Sequence, residues 1–245
     1  VVMVNSSWTR NHIEHIWQIP SSKLFTVYPP CDVSNLIQLP LENRQKYICS
    51  VGQFREEKDH ALQLKSFHTF LTKYKSEPTV VDPVKLILIG GVRDQVDRDR
   101  VEFLKQMSRD LQIDKQVEFI VGAPFETLRE YLGNSILGLH AMWNEHFGIC
   151  VVEYQAAGAI PIAHNSGGPK SDIVVPLDQV KTGYLAETAE QYAQVFYQVM
   201  KYYGTETPEG KEILEIQKAA RKSSQRFSEE QFTIDAQACL KTIVF

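Results

Sequence analysis

The chain alternates short runs of aliphatic residues with longer segments of helical periodicity, and this alternation restricts the folds that it can adopt. Five runs of four to six residues have the length of buried strands: residues 46–51, 85–89, 117–121, 136–140 and 160–163. Helices are predicted around them: residues 64–74, 101–111, 125–133, 148–157, 189–203, 209–226 and 229–243. Strands that alternate with helices predict an α/β fold whose mostly parallel sheet is covered on both faces.

A sheet of this kind is Rossmann-like and doubly wound, and its topology predicts where the functional residues lie. Ligands bind to such sheets beyond the carboxyl ends of the strands. The loops that follow the predicted strands are therefore the candidates for a functional site.

Length, charge and cysteine usage narrow the class of protein. With 245 residues, the chain is longer than one average domain and shorter than two. A formal net charge of −4 gives no reason to expect nucleic acid as a partner. The four cysteines lie far apart, and His, Asp and Glu show no metal-ligand spacing, so no metal is expected.

The sequence also predicts that this is a piece of a longer protein. No run reaches the roughly 18 apolar residues of a membrane span. The first residue is Val1 rather than Met, and the segment after it lacks the features of a signal peptide. Any membrane anchor is therefore expected outside these residues.

We place the Rossmann-like domain at residues 46–227. The residues before it do not fit the pattern of a single Rossmann-like domain. Residues 1–28 predict a short strand, a helix opened by Asn5-Ser6-Ser7 and a second strand. Pro29-Pro30 disfavours helix and stiffens the chain, so residues 29–45 are interpreted as a hinge or linker.

A terminal helix is predicted within residues 228–245. It starts at Ser228, with Gln three residues later completing a capping box. Phe232, Ala236 and Leu240 are expected on one face. We expect that face to pack back on a domain outside this chain.

The loop and helix at residues 144–158 carry the densest set of candidate functional residues. Glu145 lies in a loop after a strand, and Phe147-Gly148 opens a helix whose first amides are free to bind phosphate or a sugar hydroxyl. Glu153 is a single charged residue among apolar neighbours, and an unpaired buried carboxylate costs several kcal/mol. Ribose hydroxyls would satisfy it, although an exposed helix edge explains it equally well.

A second candidate loop follows the first strand of the domain. Gly52 ends that strand, and the bases Arg55 and Lys58 come before the next helix, as in a clamp for a diphosphate. Taken alone, this loop is better explained as a solvated charge cluster, because acidic residues are interleaved with the bases.

A third loop contains Gly167-Gly168 followed by proline, which makes a tight turn that brings amides near a ligand. A plain turn explains it as well. The chain has neither the glycine spacing of a dinucleotide fingerprint nor that of a P-loop, which argues against a dehydrogenase and an NTPase.

Together, the order and spacing of these motifs resemble the retaining GT-B glycosyltransferases that use nucleotide sugars. The resemblance rests on Glu145 and Glu153 separated by seven residues around Phe147-Gly148, on Gly52 to Lys58, and on Gly167-Gly168. The stretches VNSSWTRNHI, GQFREEKDH and EHFGICVVEYQAAGAIPIAHNSGGPK are similar to the branch that transfers mannose from GDP-mannose in asparagine-linked glycosylation. The chain then corresponds to the C-terminal donor domain of a GT-B enzyme, with residues 1–28 as the end of the acceptor domain.

The resemblance implies a role for each motif. Glu145 would bind the donor mannose as a catalytic residue, and Lys58 would neutralise the diphosphate that leaves. The amides of Phe147, Gly148 and Ile149 would approach the sugar and diphosphate, and Glu153 would hold the ribose. The remaining binding residues are those of the two glycine loops: Gly52, Arg55, Gly167 and Gly168. Many relatives have Arg directly after the first glycine, where this chain has Gln53, and Arg55 is the candidate to replace it.

The same resemblance implies partners and a place in the cell. The acceptor would be a dolichol-diphosphate-linked oligosaccharide, extended through an α-1,2 linkage at the cytosolic face of the endoplasmic reticulum membrane. Segments outside this chain would anchor the protein to the membrane. Other glycosylation enzymes would be candidate partners in a complex. No cofactor or metal is expected. The isolated chain is expected to bind GDP or GDP-mannose and to transfer little or no mannose. Two alternatives stay open: another donor, such as UDP-glucose or UDP-N-acetylglucosamine, or a non-catalytic binding or scaffold protein.

Overall fold

The computed structural model describes residues 1–242, and eight strands form two parallel sheets within them. The strands are β1 (Val2–Val4), β2 (Leu24–Thr26), β3 (Gln45–Val51), β4 (Lys85–Gly90), β5 (Val117–Val121), β6 (Ser135–Leu139), β7 (Ile160–His164) and β8 (Tyr184–Ala186). β1 pairs with β2, and the other six form one sheet in the order β5-β4-β3-β6-β7-β8. This is the strand order of a doubly wound Rossmann sheet.

Ten α-helices within the described residues surround the strands. They are α1 (Ser7–Trp17), α2 (Val33–Leu36), α3 (His60–Lys73), α4 (Pro78–Val81), α5 (Gln95–Asp110), α6 (Phe125–Asn134), α7 (Ile149–Ala157), α8 (Ala189–Tyr202), α9 (Pro208–Ser224) and α10 (Glu229–Lys241). One face of the large sheet packs with α3, α5 and α8, and the other with α2, α6 and α7. The predicted parallel sheet covered on both faces is therefore confirmed.

The five predicted strands are confirmed to within a residue or two. The four inner ones, β3, β4, β6 and β7, are aliphatic runs with buried centres, whereas β5 lies at the edge of the sheet and is partly exposed. β8 is a sixth strand that the sequence analysis missed. It has only three residues, and two of them are half-exposed, so it lacks a long apolar run. Among residues 1–242, no helix has the length and apolar character needed to cross a bilayer.

The predicted linker packs closely against the Rossmann-like domain. Cys31, Val33 and Leu36 are buried in the same apolar cluster as α7. Arg44 is 8% exposed and donates hydrogen bonds to the carbonyls of Leu132 (3.0 Å) and Ser135 (2.7 Å). The domain bounds, including a hinge at residues 29–45, stay a prediction.

The terminal helix begins after Ser228, whose side chain accepts a hydrogen bond from the third amide of the helix. Within this chain Cys239 is buried and Leu240 is 50% exposed, and the packing of the predicted face on another domain stays a prediction. A helix turns about 100° per residue, so Cys239 lies about 20° from Phe232 and Leu240 about 80° away. Residues 243–245, the end of the predicted segment, lie outside the described residues.

β3 and β6 are neighbours at the centre of the sheet, and they part near their carboxyl ends. Their pairing ends with Cys49 opposite Gly138. Beyond it, the hydroxyl of the fully buried Tyr154 accepts a hydrogen bond from the Val51 amide (2.7 Å) and donates one to the Leu139 carbonyl (3.2 Å). After β3 the chain continues into α3 on one face of the sheet, and after β6 it continues into α7 on the other face. The gap between the two strands is therefore the switch point where ligands are expected.

We predict that Gly138→Ala destabilises the protein by about 1–3 kcal/mol, because a core that is already filled must give way. A Cβ atom at Gly138 would lie 2.2 Å from Cγ of Tyr154. Urea unfolding monitored by circular dichroism measures the change. Gly91→Ala is the matched control, since a Cβ there meets no other atom of residues 1–242 within 4 Å. Equal stability of the two variants would contradict the prediction.

Candidate functional site

A cavity of about 590 Å³ opens at the carboxyl ends of β3 and β6. Residues at the end of β3 and after it, after β6 and at the start of α7 form most of its wall. Two more come from residues 1–30, which we call the first segment. The lining residues are Asn5, Pro29, Val51, Gly52, Gln53, Lys58, Glu145, His146, Phe147, Gly148, Ile149, Cys150 and Glu153. The cavity therefore brings together most of the residues that the motifs single out.

Glu145 lies at the centre of the polar contacts in this cavity. Its Oε2 is 2.6 Å from Nζ of Lys58 and 3.4 Å from Nε2 of the buried His140. Burial alone would raise the pKa of Glu145, but the hydrogen bonds from His140 and Lys58 lower it to about 2. Glu145 is therefore a carboxylate at neutral pH, and it holds the lysine of the β3 loop against the β6 loop.

The backbone amides at the start of α7 are a second polar feature of the wall. Gly148 precedes the helix with φ 109°, a conformation that favours glycine. Among the hydrogen bonds of residues 1–242, none is donated by the amides of Phe147, Gly148, Ile149 or Cys150. Four adjacent free N–H groups at a helix start form a site suited to an anion.

Glu153 lies one turn further along α7 and faces the same cavity. It is half-buried, and its carboxylate makes no hydrogen bond within residues 1–242. Burial and the nearby charge of Asp32 raise its pKa. A polar group held in this state has its hydrogen-bonding capacity available to a ligand.

Gly167 and Gly168 lie behind the Glu145 loop and do not line the cavity. The Gly168 amide donates to the Glu145 carbonyl (2.7 Å), and a Cβ atom at Gly167 would meet that carbonyl oxygen at 2.2 Å. Next to them, the Ser166 hydroxyl accepts a hydrogen bond from the Asn144 amide (2.8 Å). In this structure the two glycines support the loop, and their binding of a ligand stays a prediction.

Arg55 is outside the cavity, in a separate cleft between the β3 loop and the start of α5. Its guanidinium lies 3.8 Å from the carboxylate of Glu57. Gln53, at the position of the expected Arg, does line the cavity. Among residues 1–242, Lys58 is thus the one Lys or Arg whose side chain lines the cavity.

The sequence analysis missed several contributors to this site. The motifs do not single out His140, and the structure shows its ring against Glu145. Asn5 and Pro29 come from the first segment, far from the motifs in sequence, so only the fold brings them to the cavity. No group of three or more His, Cys, Asp or Glu suited to a metal ion occurs in the part of the chain that the structure describes.

Comparison with known proteins identifies the family of the chain. The family model for glycosyl transferases group 1 matches residues 34–221. The chain belongs to this family. The matched region of this group 1 glycosyltransferase contains every cavity residue except Asn5 and Pro29.

Two curated relatives are similar over nearly all of the chain. The human GDP-Man:Man(3)GlcNAc(2)-PP-Dol alpha-1,2-mannosyltransferase is 45% identical over 240 residues, covering 96% of this chain and 46% of the relative. The Dictyostelium discoideum protein of the same description is 46% identical over 238 residues, covering 95% and 45%. The chain therefore spans a little under half the length of these relatives.

The fold of this group 1 glycosyltransferase also matches solved structures. A glycosyltransferase from Rickettsia africae superposes with a TM-score of 0.78 at 18% identity, covering 99% of this chain and 63% of that one. The similarity confirms the expected GT-B glycosyltransferase fold, including its Rossmann-like sheet.

We predict that Glu145 makes the stability depend on pH. Its folded-state pKa of about 2 lies below the ordinary value of 4.5. The ionised carboxylate therefore stabilises the fold above about pH 4.5, and this contribution is lost as the pH falls towards 2, by about 1–3 kcal/mol. Urea unfolding from pH 6 to pH 3 should show a steeper loss of stability for the native protein than for Glu145→Gln. Parallel pH profiles would contradict the prediction.

Proposed function

We propose that the protein transfers mannose from GDP-mannose to a dolichol-diphosphate-linked oligosaccharide, and that this chain is its donor-binding half. The family, and relatives whose names state this reaction, support the proposal. The observation that carries it is the run of free amides at the start of α7, in one cavity with Lys58 and two carboxylates. An anion flanked by hydroxyl groups fits that arrangement, and a nucleotide sugar has both.

The diphosphate of the donor binds the amides of Phe147, Gly148 and Ile149 together with Lys58. Two carboxylates in the wall outnumber the one lysine, so a side-chain charge balance alone does not favour an anion. The N–H groups and the positive end of the α7 dipole supply the missing attraction. The space beside Gly52 is open, since a Cβ atom at this position would make only an ordinary van der Waals contact of 3.7 Å with the aliphatic part of Lys58.

Glu153 accepts hydrogen bonds from the ribose hydroxyls. Its carboxylate is half-buried and has no hydrogen-bond partner in the described residues. Burial without partners is unfavourable, and two ribose hydroxyls would supply the missing hydrogen bonds. Binding of hydroxyls to the ionised form also lowers its raised pKa, which couples nucleotide binding to the charge of Glu153.

Glu145 and Lys58 act on the reacting part of the donor. When the glycosidic bond breaks, negative charge grows on the diphosphate, and Lys58 stabilises that charge more in the transition state than in the ground state. Glu145 is ionised and accepts hydrogen bonds from the mannose hydroxyls. Its present partner is Lys58 at 2.6 Å, so the donor shares the lysine with Glu145.

The names of the relatives state the alpha-1,2 linkage and the dolichol-linked acceptor, and the other features are inferred from the resemblance of the motifs to retaining GT-B enzymes. We infer transfer through an α-1,2 linkage with retention at the mannose carbon, without a metal ion. A dolichol acceptor lies in a membrane, so we infer that the reaction takes place at a membrane surface, and by the same resemblance at the cytosolic face of the endoplasmic reticulum. A complex with other glycosylation enzymes belongs to the same inference.

We predict that the 245-residue chain binds GDP at least about tenfold more tightly than UDP or ADP, equivalent to about 1.4 kcal/mol. Isothermal titration with the three nucleotides measures this preference. A preference for UDP would rule out the mannose donor, and binding of none of the three would rule out a donor-binding role. The chain alone should transfer little or no mannose.

We predict that Glu153 and the ribose form one interaction. The native chain should lose about 1–3 kcal/mol of affinity when GDP is replaced by 2′,3′-dideoxy-GDP. Glu153→Ala should bind GDP about as weakly and should not distinguish the two nucleotides. Glu118→Ala, at an exposed position that bonds Tyr131, is the control. Full discrimination by Glu153→Ala would show that the ribose is held elsewhere.

A further inference from the structure

Asp172 is a buried carboxylate that joins the first segment of the chain to the donor-binding domain. It is 3% exposed and lies in a single turn of π-helix, Pro169–Ile173, directly after the Gly167-Gly168 loop. Its Oδ2 accepts a hydrogen bond from the Ser7 amide (2.9 Å), and its Oδ1 accepts from the hydroxyls of Ser7 and Tyr28 (2.9 Å for Tyr28). All three donors belong to residues 1–28.

The hydrogen bond from the Ser7 amide places Asp172 at the start of a helix, because Ser7 is the first residue of α1. The first turn of α1 contains no acidic residue. Asp172 supplies that negative charge from another part of the chain, where the helix dipole and an orphan amide both favour it. The carboxylate therefore fixes where α1 begins relative to the large sheet.

Aromatic contacts carry the same junction to the residues next to Glu145. The ring of Tyr28 stacks on Phe147 with centroids 5.7 Å apart, and the ring of Trp8 stacks on His146 at 5.0 Å. His146 and Phe147 directly follow Glu145 in sequence. The first segment is thus in contact with the two residues that follow Glu145.

The Gly167-Gly168 loop completes the connection. The Gly168 amide holds the Glu145 carbonyl at 2.7 Å, and Asp172 lies four residues further on in the same short segment. The main-chain carbonyl of Asp172 also accepts a hydrogen bond from the guanidinium of Arg226 (2.9 Å), which is a further contact that holds this segment. One short segment therefore holds both the Glu145 loop and the start of α1.

We propose that Asp172 is a positioning residue for sugar transfer, which seats the first segment so that Asn5 and Pro29 face the donor-binding wall of the cavity. The cavity has lining residues from both sides, and those two come from the first segment. Displacement of reacting groups by about 1 Å can cost a hundredfold in rate, so the register of the two walls matters for turnover. The inference rests on the proposed function for its effect on rate, while the seating itself does not.

The test measures transfer and nucleotide binding in the whole protein, including any residues that flank these 245. Asp172→Asn keeps the size of the side chain but places an N–H₂ group against donors. We expect kcat to fall at least about tenfold, with a change in GDP affinity of less than about twofold, because the nucleotide contacts lie on the other wall. Tyr28→Phe keeps the ring stack and removes one hydrogen bond, so a smaller loss is expected.

The two substitutions should not be additive, because they act on the same carboxylate. Asp178→Asn is the matched control, since Asp178 is exposed and pairs only with Lys222 at the surface. Equal kcat for the native protein and Asp172→Asn overturns the proposal. A parallel loss of kcat and GDP binding overturns it as well, because Asp172 would then support the whole fold. If Asp172→Asn fails to fold, an unchanged kcat in Tyr28→Phe overturns it in the same way.

Hydrogen exchange separates this proposal from the proposed function. In Asp172→Asn, the amides of α1 should exchange faster, while those of β4 and β5 should not change. This measurement requires no donor sugar, so it tests the seating even where GDP-mannose is not the substrate. Unchanged exchange in α1 would show that Asp172 does not hold that helix against the donor-binding domain.

Discussion

The site depends on the way in which β3 and β6 part at the centre of the sheet. Two parallel strands normally continue their hydrogen bonds to the end, yet here the hydroxyl of Tyr154 takes the place of the strand partner. A buried phenol between two strand ends fits only because Gly138 has no side chain beneath it. The crevice is therefore part of the core packing, and it exists before any ligand binds.

Lys58 and Glu145 face each other across this crevice, one from each strand loop. Their contact at 2.6 Å neutralises two charges that would be costly to keep separately in a half-buried site. The pair leaves the amides at the start of α7 as the strongest positive feature of the wall. Anion binding in this chain thus depends more on backbone geometry than on the number of basic side chains, which explains how a site with Gln53 in place of arginine can be suited to a diphosphate.

The sequence predicted the strands and the Glu145 and Glu153 motif because both depend on local pattern. Aliphatic runs fix the buried strands, and topology brings the loops after β3 and β6 together. Arg55 and Gly168 show where local pattern is insufficient. A side chain at a loop can point into either of two clefts, and a glycine can serve a ligand or a neighbouring loop.

Asn5, Pro29 and Asp172 show a different limit, because their roles exist only between segments that are distant in sequence. Asp172 reads as an ordinary polar residue in a turn until α1 is placed against it, and its burial then requires the donors of the first segment. The requirement acts in both directions: the carboxylate needs the segment, and the start of α1 needs the carboxylate. A contact of this kind makes the position of the first segment a property of the donor-binding domain, so the cavity can have two walls within one folded unit.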